Sequence, residues 1–95
     1  MNLAEFQKLI DDTYGERDRA RGLPRTYMWF SEEVGELCRA LHRDTGEENL
    51  KKEFADVLAW LTTLASAKGV DLNAAAMDVY GKGCPDCGGI PCKCR

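Results

Sequence analysis

Five carboxylates stand out by their spacing. In WFSEEVGELCRAL, residues 29–41, Glu32, Glu33 and Glu36 crowd beside an apolar stripe of Phe30, Val34, Leu37 and Leu41. Further along, Glu53 and Asp56 border a second stripe of Phe54, Val57, Leu58, Leu61, Leu64 and Ala65. On a helical wheel of about 100° per residue, Glu33 and Glu36 lie one turn apart on one flank of their stripe. Glu53 and Asp56 take the matching flank of theirs. The strings EVGEL and EFADV both run acid, apolar, small, acid, apolar. If the two helices pack antiparallel through their stripes, the acidic pairs converge on one side of the seam. Like charges a turn apart repel, and partly buried carboxylates without partners cost several kcal/mol each. Four such oxygen donors suit a hard divalent ion, Mg²⁺ or Mn²⁺. One Glu-x-x-Glu alone is ordinarily a solvated face, neutralised here by Arg39 or Arg43; two pairs on equivalent flanks ask for more.

A second set of ligand types closes the chain. CPDCGGIPCKC spaces Cys84, Cys87, Cys92 and Cys94 as Cys-x-x-Cys, four residues, then Cys-x-Cys. Four thiolates saturate a tetrahedral structural zinc site. Disulfides, an iron–sulfur cluster and an unstructured tail are the alternatives. Cys38, the fifth cysteine, stands alone in a helical stretch and is expected to be a plain buried thiol.

The elements that must position these groups follow from periodicity. Asn2 with Glu5 resembles a capping box, followed by Leu3, Phe6, Leu9 and Ile10 at helical spacing. This first helix is expected to fade in GERDRARGLP. Pro24 suits the first turn of a second helix, which stops near RDTG. Thr45 with Glu48 is a capping-box pair for a third, ended by Gly69. Asp71 caps a short fourth helix through LNAAAMDVY, closed by Gly81. No alternating β pattern appears, so the fold class is all-α: a four-helix antiparallel bundle with a short Cys-rich tail. Residues 1–81 form one domain and 82–95 a zinc-binding appendix.

Composition narrows the function. Ninety-five residues make one domain with a modest core, and the net charge is −3. An acidic chain does not suit binding to a nucleic-acid polymer. No apolar run approaches the roughly 20 residues of a membrane span, and the N-terminus lacks the pattern of a signal peptide. The expected location is the cytoplasm, where clustered cysteines read as metal ligands first.

With Glu-Glu-x-x-Glu followed by Glu-x-x-Asp, and EEVGEL and EFADVL as its cores, the chain resembles the MazG-like nucleotide pyrophosphohydrolases of the all-α NTP pyrophosphatase superfamily. The resemblance covers roughly residues 3–80. It implies a Mg²⁺-dependent enzyme that splits nucleoside triphosphates between the α and β phosphates. It carries metal binding over to Glu33, Glu36, Glu53 and Asp56, and Glu32 matches the leading glutamate, as a further metal ligand or the group that orients the attacking water. It also implies a homodimer or homotetramer.

Supporting residues are read from position. Trp60, one turn past Asp56, is a candidate to stack on a base, and Lys82 to meet phosphate. For Trp60 and Trp29 the competing role is packing in a core or subunit interface. Arg17, Arg19, Arg21 and Arg25 bracket the first loop and read as a solvated basic loop, with phosphate contact as the alternative, and His42 reads as a surface residue. A non-enzymatic helical scaffold that uses its zinc tail for protein interaction is the rival function, with a metal-sequestering or redox role behind it.

Overall fold

The computed structural model describes residues 1–95. Four α-helices and no strand make up the chain: α1 Leu3–Arg21, α2 Leu23–Arg43, α3 Glu47–Ala67 and α4 Leu72–Tyr80. Residues 81–95 form turns around the cysteines.

Local chemistry accounts for most helix ends. Asn2 accepts from the Glu5 amide at 2.8 Å, and the Glu5 carboxylate accepts in return from the Asn2 amide. Asp71 caps α4 through the Ala74 amide at 3.0 Å. Pro24 lies in the first turn of α2, where its missing N–H has no partner to lose. Two ends differ from expectation. The start of α3 is set by Gly46, at φ 98°, a conformation that strains a side-chain-bearing residue. Thr45 is therefore one position too early to cap, and its hydroxyl accepts instead from Asn49 at 2.6 Å.

The second difference is larger. α1 does not fade after Tyr14 but continues through GERDRAR to Arg21. Gly15 weakens a helix by about 1 kcal/mol relative to Ala. Here it leaves room for the Arg19–Asp11 ion pair, at 3.3 Å, to lie across it; an added Cβ would come within 2.8 Å of Asp11 Oδ1. The last turn is held by Arg21 paired with Asp18 at 3.0 Å.

α2 and α3 form the main pair, α1 packs on α3, and α4 rests on α1. Gln7 fastens the α1–α4 corner. Its amide donates to the Val70 carbonyl at 2.7 Å and to Ser66 Oγ at 3.1 Å, while its oxygen accepts from the Leu72 amide at 2.9 Å.

The α2–α3 seam takes only part of each apolar stripe. Ala40 and Ala65 are buried, and Phe30, Leu37, Val57 and Leu64 are partly covered. Val34 and Leu41 on α2, and Phe54, Leu58 and Leu61 on α3, remain exposed. Each helix is apolar across more arc than one neighbour can cover. The shape agrees: the radius of gyration is 15.6 Å, against about 12 Å for a close-packed chain of this length. The accessible surface is 7208 Å², against roughly 5,500 Å² for a monomer of this mass.

Candidate active site

Pairing α2 with α3 brings Glu33 against Glu53 and Asp56. One carboxylate oxygen from each lies within 4.8 Å of the other two. Glu53 is 6% exposed. Glu33 Oε2 and Glu53 Oε2 are both buried without a hydrogen-bond partner. Burial pushes the Glu33 pKa up, and the neighbouring charges of Glu36 and Asp56 push it further. Lys52 is the cation that reaches the group, 2.7 Å from Asp56 and 4.0 Å from Glu53. A buried acceptor without a donor is a cost that only a cation or proton removes. Three carboxylates converging from two rigid helices are a donor set of the type hard divalent ions take.

The other acidic positions fall around this group. Glu36, exposed on α2, is near enough for its charge to act on Glu33 but stands outside the three that converge. Glu32 is exposed on the same helix.

Asp56 also borders a cavity of about 650 Å³. That is a normal size for a small-molecule pocket. Tyr14, Trp29 and Trp60 supply aromatic wall, and Arg17 and Arg25 supply positive charge. The two indoles meet edge to face with centroids 5.6 Å apart. The Arg21 guanidinium lies over both, 4.8 Å from Trp29 and 4.9 Å from Trp60. It also donates to Thr26 Oγ1 at 3.2 Å, and its partner Asp18 accepts from Thr63 Oγ1 at 3.2 Å. The Asp18 and Arg21 side chains are 13% and 10% exposed, so Arg21 belongs to a largely buried network, while Arg17, Arg19 and Arg25 are solvated as expected, on helices rather than a loop. The expectation that α1 fades at Gly15 leaves this network out. Had α1 been extended through Gly15, Tyr14, Asp18 and Arg21 would have shown the i, i+4, i+7 spacing of one face.

One candidate lies away from the cavity, and one residue is on the surface as expected. Lys82 is exposed beyond α4 and does not line it, and His42 is exposed in the last turn of α2.

The model for the MazG nucleotide pyrophosphohydrolase domain matches residues 23–83. The chain belongs to the MazG family. Comparison with individual curated proteins gives no match. The MazG match spans α2, α3 and α4, with all five acidic positions and both tryptophans. It leaves out α1, with Asp18 and Arg21, and it ends before the first tail cysteine.

In the tail of this MazG chain the four thiols gather at one point, each sulfur within 4.8 Å of the others. Cys84 lies 3.6 Å from both Cys92 and Cys94, and Cys87 lies 4.0 Å from Cys92. Zinc–sulfur bonds of about 2.3 Å in a tetrahedron place the sulfurs about 3.8 Å apart. Disulfide sulfurs sit at about 2.05 Å, so the spacing is that of a metal cage. Amides of Gly89 and Lys93 point at Cys87 Sγ, at 3.4 and 3.3 Å, and lower its pKa to about 6. Amide donors of this kind favour the thiolate that zinc binds. Cys38 is exposed on α2 rather than buried, because its side of the helix has no neighbour.

Proposed function

We propose that this MazG chain is a Mg²⁺-dependent nucleoside triphosphate pyrophosphohydrolase, releasing a nucleoside monophosphate and pyrophosphate. The observation that carries the reading is the pair of buried, partnerless oxygens on Glu33 and Glu53, set beside a cavity with aromatic walls. Glu33, Glu53 and Asp56 would hold the ion, with Glu36 as a fourth ligand. What Mg²⁺ or Mn²⁺ supplies there is Lewis acidity, lowering the pKa of an attacking water and offsetting phosphate charge.

The chain's own groups do the rest. Asp56 belongs to both the acid group and the cavity, so it ties the reacting end of the substrate to its binding end. Trp60 and Trp29 offer faces for a base, and Arg17 and Arg25 offset the triphosphate's charge. Glu32, exposed on α2, would orient the attacking water or add a ligand to the ion. No serine, cysteine or histidine nucleophile enters the scheme.

Residues 1–81 would then be the catalytic domain and 82–95 a tail in which Cys84, Cys87, Cys92 and Cys94 hold one structural Zn²⁺. A reduced thiol site suits the cytoplasm, and no helix is long and apolar enough to cross a membrane. A second copy of the chain would cover the open apolar faces. The surplus surface, about 1,700 Å² per chain, is the size of an obligate interface, as a homodimer or homotetramer requires.

Incubation with a panel of nucleoside triphosphates and Mg²⁺, with pyrophosphate as the readout, tests the activity. Metal-dependent release that Glu53→Gln and Asp56→Asn abolish is the expected result. Release that survives both substitutions removes the acid group from the reaction. No release from any nucleotide leaves the scaffold reading in its place.

A further inference from the structure

We propose that Lys52 is a built-in counter-cation of the acid group, paired with Asp56 and Glu53 in the metal-free protein and displaced when a divalent ion enters. The inference rests on the metal-site reading above and adds a residue to it.

Lys52 precedes Glu53 on α3 and lies one turn before Asp56. Its ammonium is 2.7 Å from Asp56 Oδ2 and 4.0 Å from Glu53 Oε1. A comparison within the chain shows what is unusual. Lys8 and Asp12 form an ion pair of the same i, i+4 spacing and the same 2.7 Å length. That pair is an ordinary solvated one, 76% and 58% exposed, with no further carboxylate recruited. Lys52 is 66% exposed, but its partners are not: the Glu53 side chain is 8% exposed and that of Asp56 33%. The ammonium reaches inward on a flexible stem to two groups that desolvation has left short of partners.

The electrostatics are those of a placeholder. Glu33, Glu53 and Asp56 carry three negative charges when ionised, and one lysine offsets only one. It leaves the partnerless oxygens of Glu33 and Glu53 unsatisfied. A divalent ion brings twice the charge and can bind oxygens the lysine leaves free. Because most of the side chain is solvated, Lys52 can swing away with little loss of packing. The lysine thus sets a threshold: the ion must outcompete it for Asp56.

Mn²⁺ binding to the full chain, followed by electron paramagnetic resonance at fixed pH and salt, is the test. Wild type is compared with Lys52→Gln, Lys8→Gln and Glu53→Gln. Lys52→Gln is expected to bind Mn²⁺ about three- to tenfold more tightly, Lys8→Gln like wild type, and Glu53→Gln far more weakly. Equal or weaker binding by Lys52→Gln, with wild-type binding intact, overturns the counter-cation alone. Absence of Mn²⁺ binding in wild type removes the metal site and the counter-cation together. A second measurement needs no variant. The Lys52 ammonium signal in ¹H–¹⁵N spectra is expected to lose its carboxylate pairing as Mg²⁺ saturates the protein; pairing that persists at saturation overturns the proposal.

Discussion

Glu33 on α2 and Glu53 on α3 face each other across a helix seam, each with one buried oxygen that no donor meets. A fold that only needed stability would not keep this arrangement. Glu53→Gln removes a charge from a site with 6% exposure and is expected to raise the stability of the metal-free protein by about 1–3 kcal/mol. The same change should lower metal-dependent pyrophosphate release at least about 100-fold. Denaturant titration and a pyrophosphate assay on the same preparation check both. A destabilised Glu53→Gln would mean the carboxylate serves the fold.

The proton on Glu33 makes a pH test. Its pKa is raised in the folded chain, chiefly by burial, so the metal-free fold holds that proton where the unfolded chain has released it. The folded state binds more protons in that window, and its stability falls as pH rises from the ordinary glutamate value through the raised one. Saturating Mn²⁺ should flatten the fall, since the cation replaces the proton. Thermal melts across acidic pH, with and without Mn²⁺, measure it. A Glu33→Gln variant should lack the slope.

Arg21 joins three helices, and its loss should be felt in all of them. Arg21→Met leaves Asp18 buried without its partner and strips the cation from both indoles; a destabilisation of about 3 kcal/mol is expected. The close edge-to-face tryptophans should give a coupled near-ultraviolet circular dichroism signal that this variant weakens. Arg21→Lys is not expected to restore it, because an ammonium cannot stack over two rings and bond Asp18 and Thr26 together.

The tail should carry about one zinc per chain. Chelation is expected to release it, unprotecting amides in residues 82–95 to hydrogen exchange while the helical signal of α1–α3 stays. Serine at any one of the four cysteines should weaken zinc retention, because each removes one of the four sulfur ligands that gather there. Metal analysis after gel filtration gives the stoichiometry, and a folded tail without metal would count against the site.

The open faces lead to a last expectation. Phe54, Leu58 and Leu61 repeat at i, i+4, i+7 on α3 and are 52%, 38% and 39% exposed. Leu58→Lys should shift the chain toward monomer in sedimentation velocity at micromolar concentration. A wild type that sediments as a monomer would remove the self-association proposal.

What the sequence determined by itself was local. Asn2 with Glu5, Pro24 and Asp71 act through their own backbone neighbours, so helix boundaries at those points were legible without a fold. Helical spacing placed Glu33 with Glu36, and Glu53 with Asp56, and the spacing of four cysteines marked the tail as a candidate metal site. What the tertiary structure decided was which of these groups meet and how dry they are. It drew Glu33, Glu53 and Asp56 together and left Glu36 beside them, since the rotation of α2 against α3 depends on how side chains fill the seam. It carried α1 through Gly15, where contacts with α3 outweigh a poor local propensity, and so covered Asp18 together with Arg21, whose guanidinium lies over two tryptophans. It also left Val34, Leu41, Phe54, Leu58 and Leu61 open. Periodicity shows that a face is apolar, but which neighbour covers it is settled only by contacts between residues far apart in the chain.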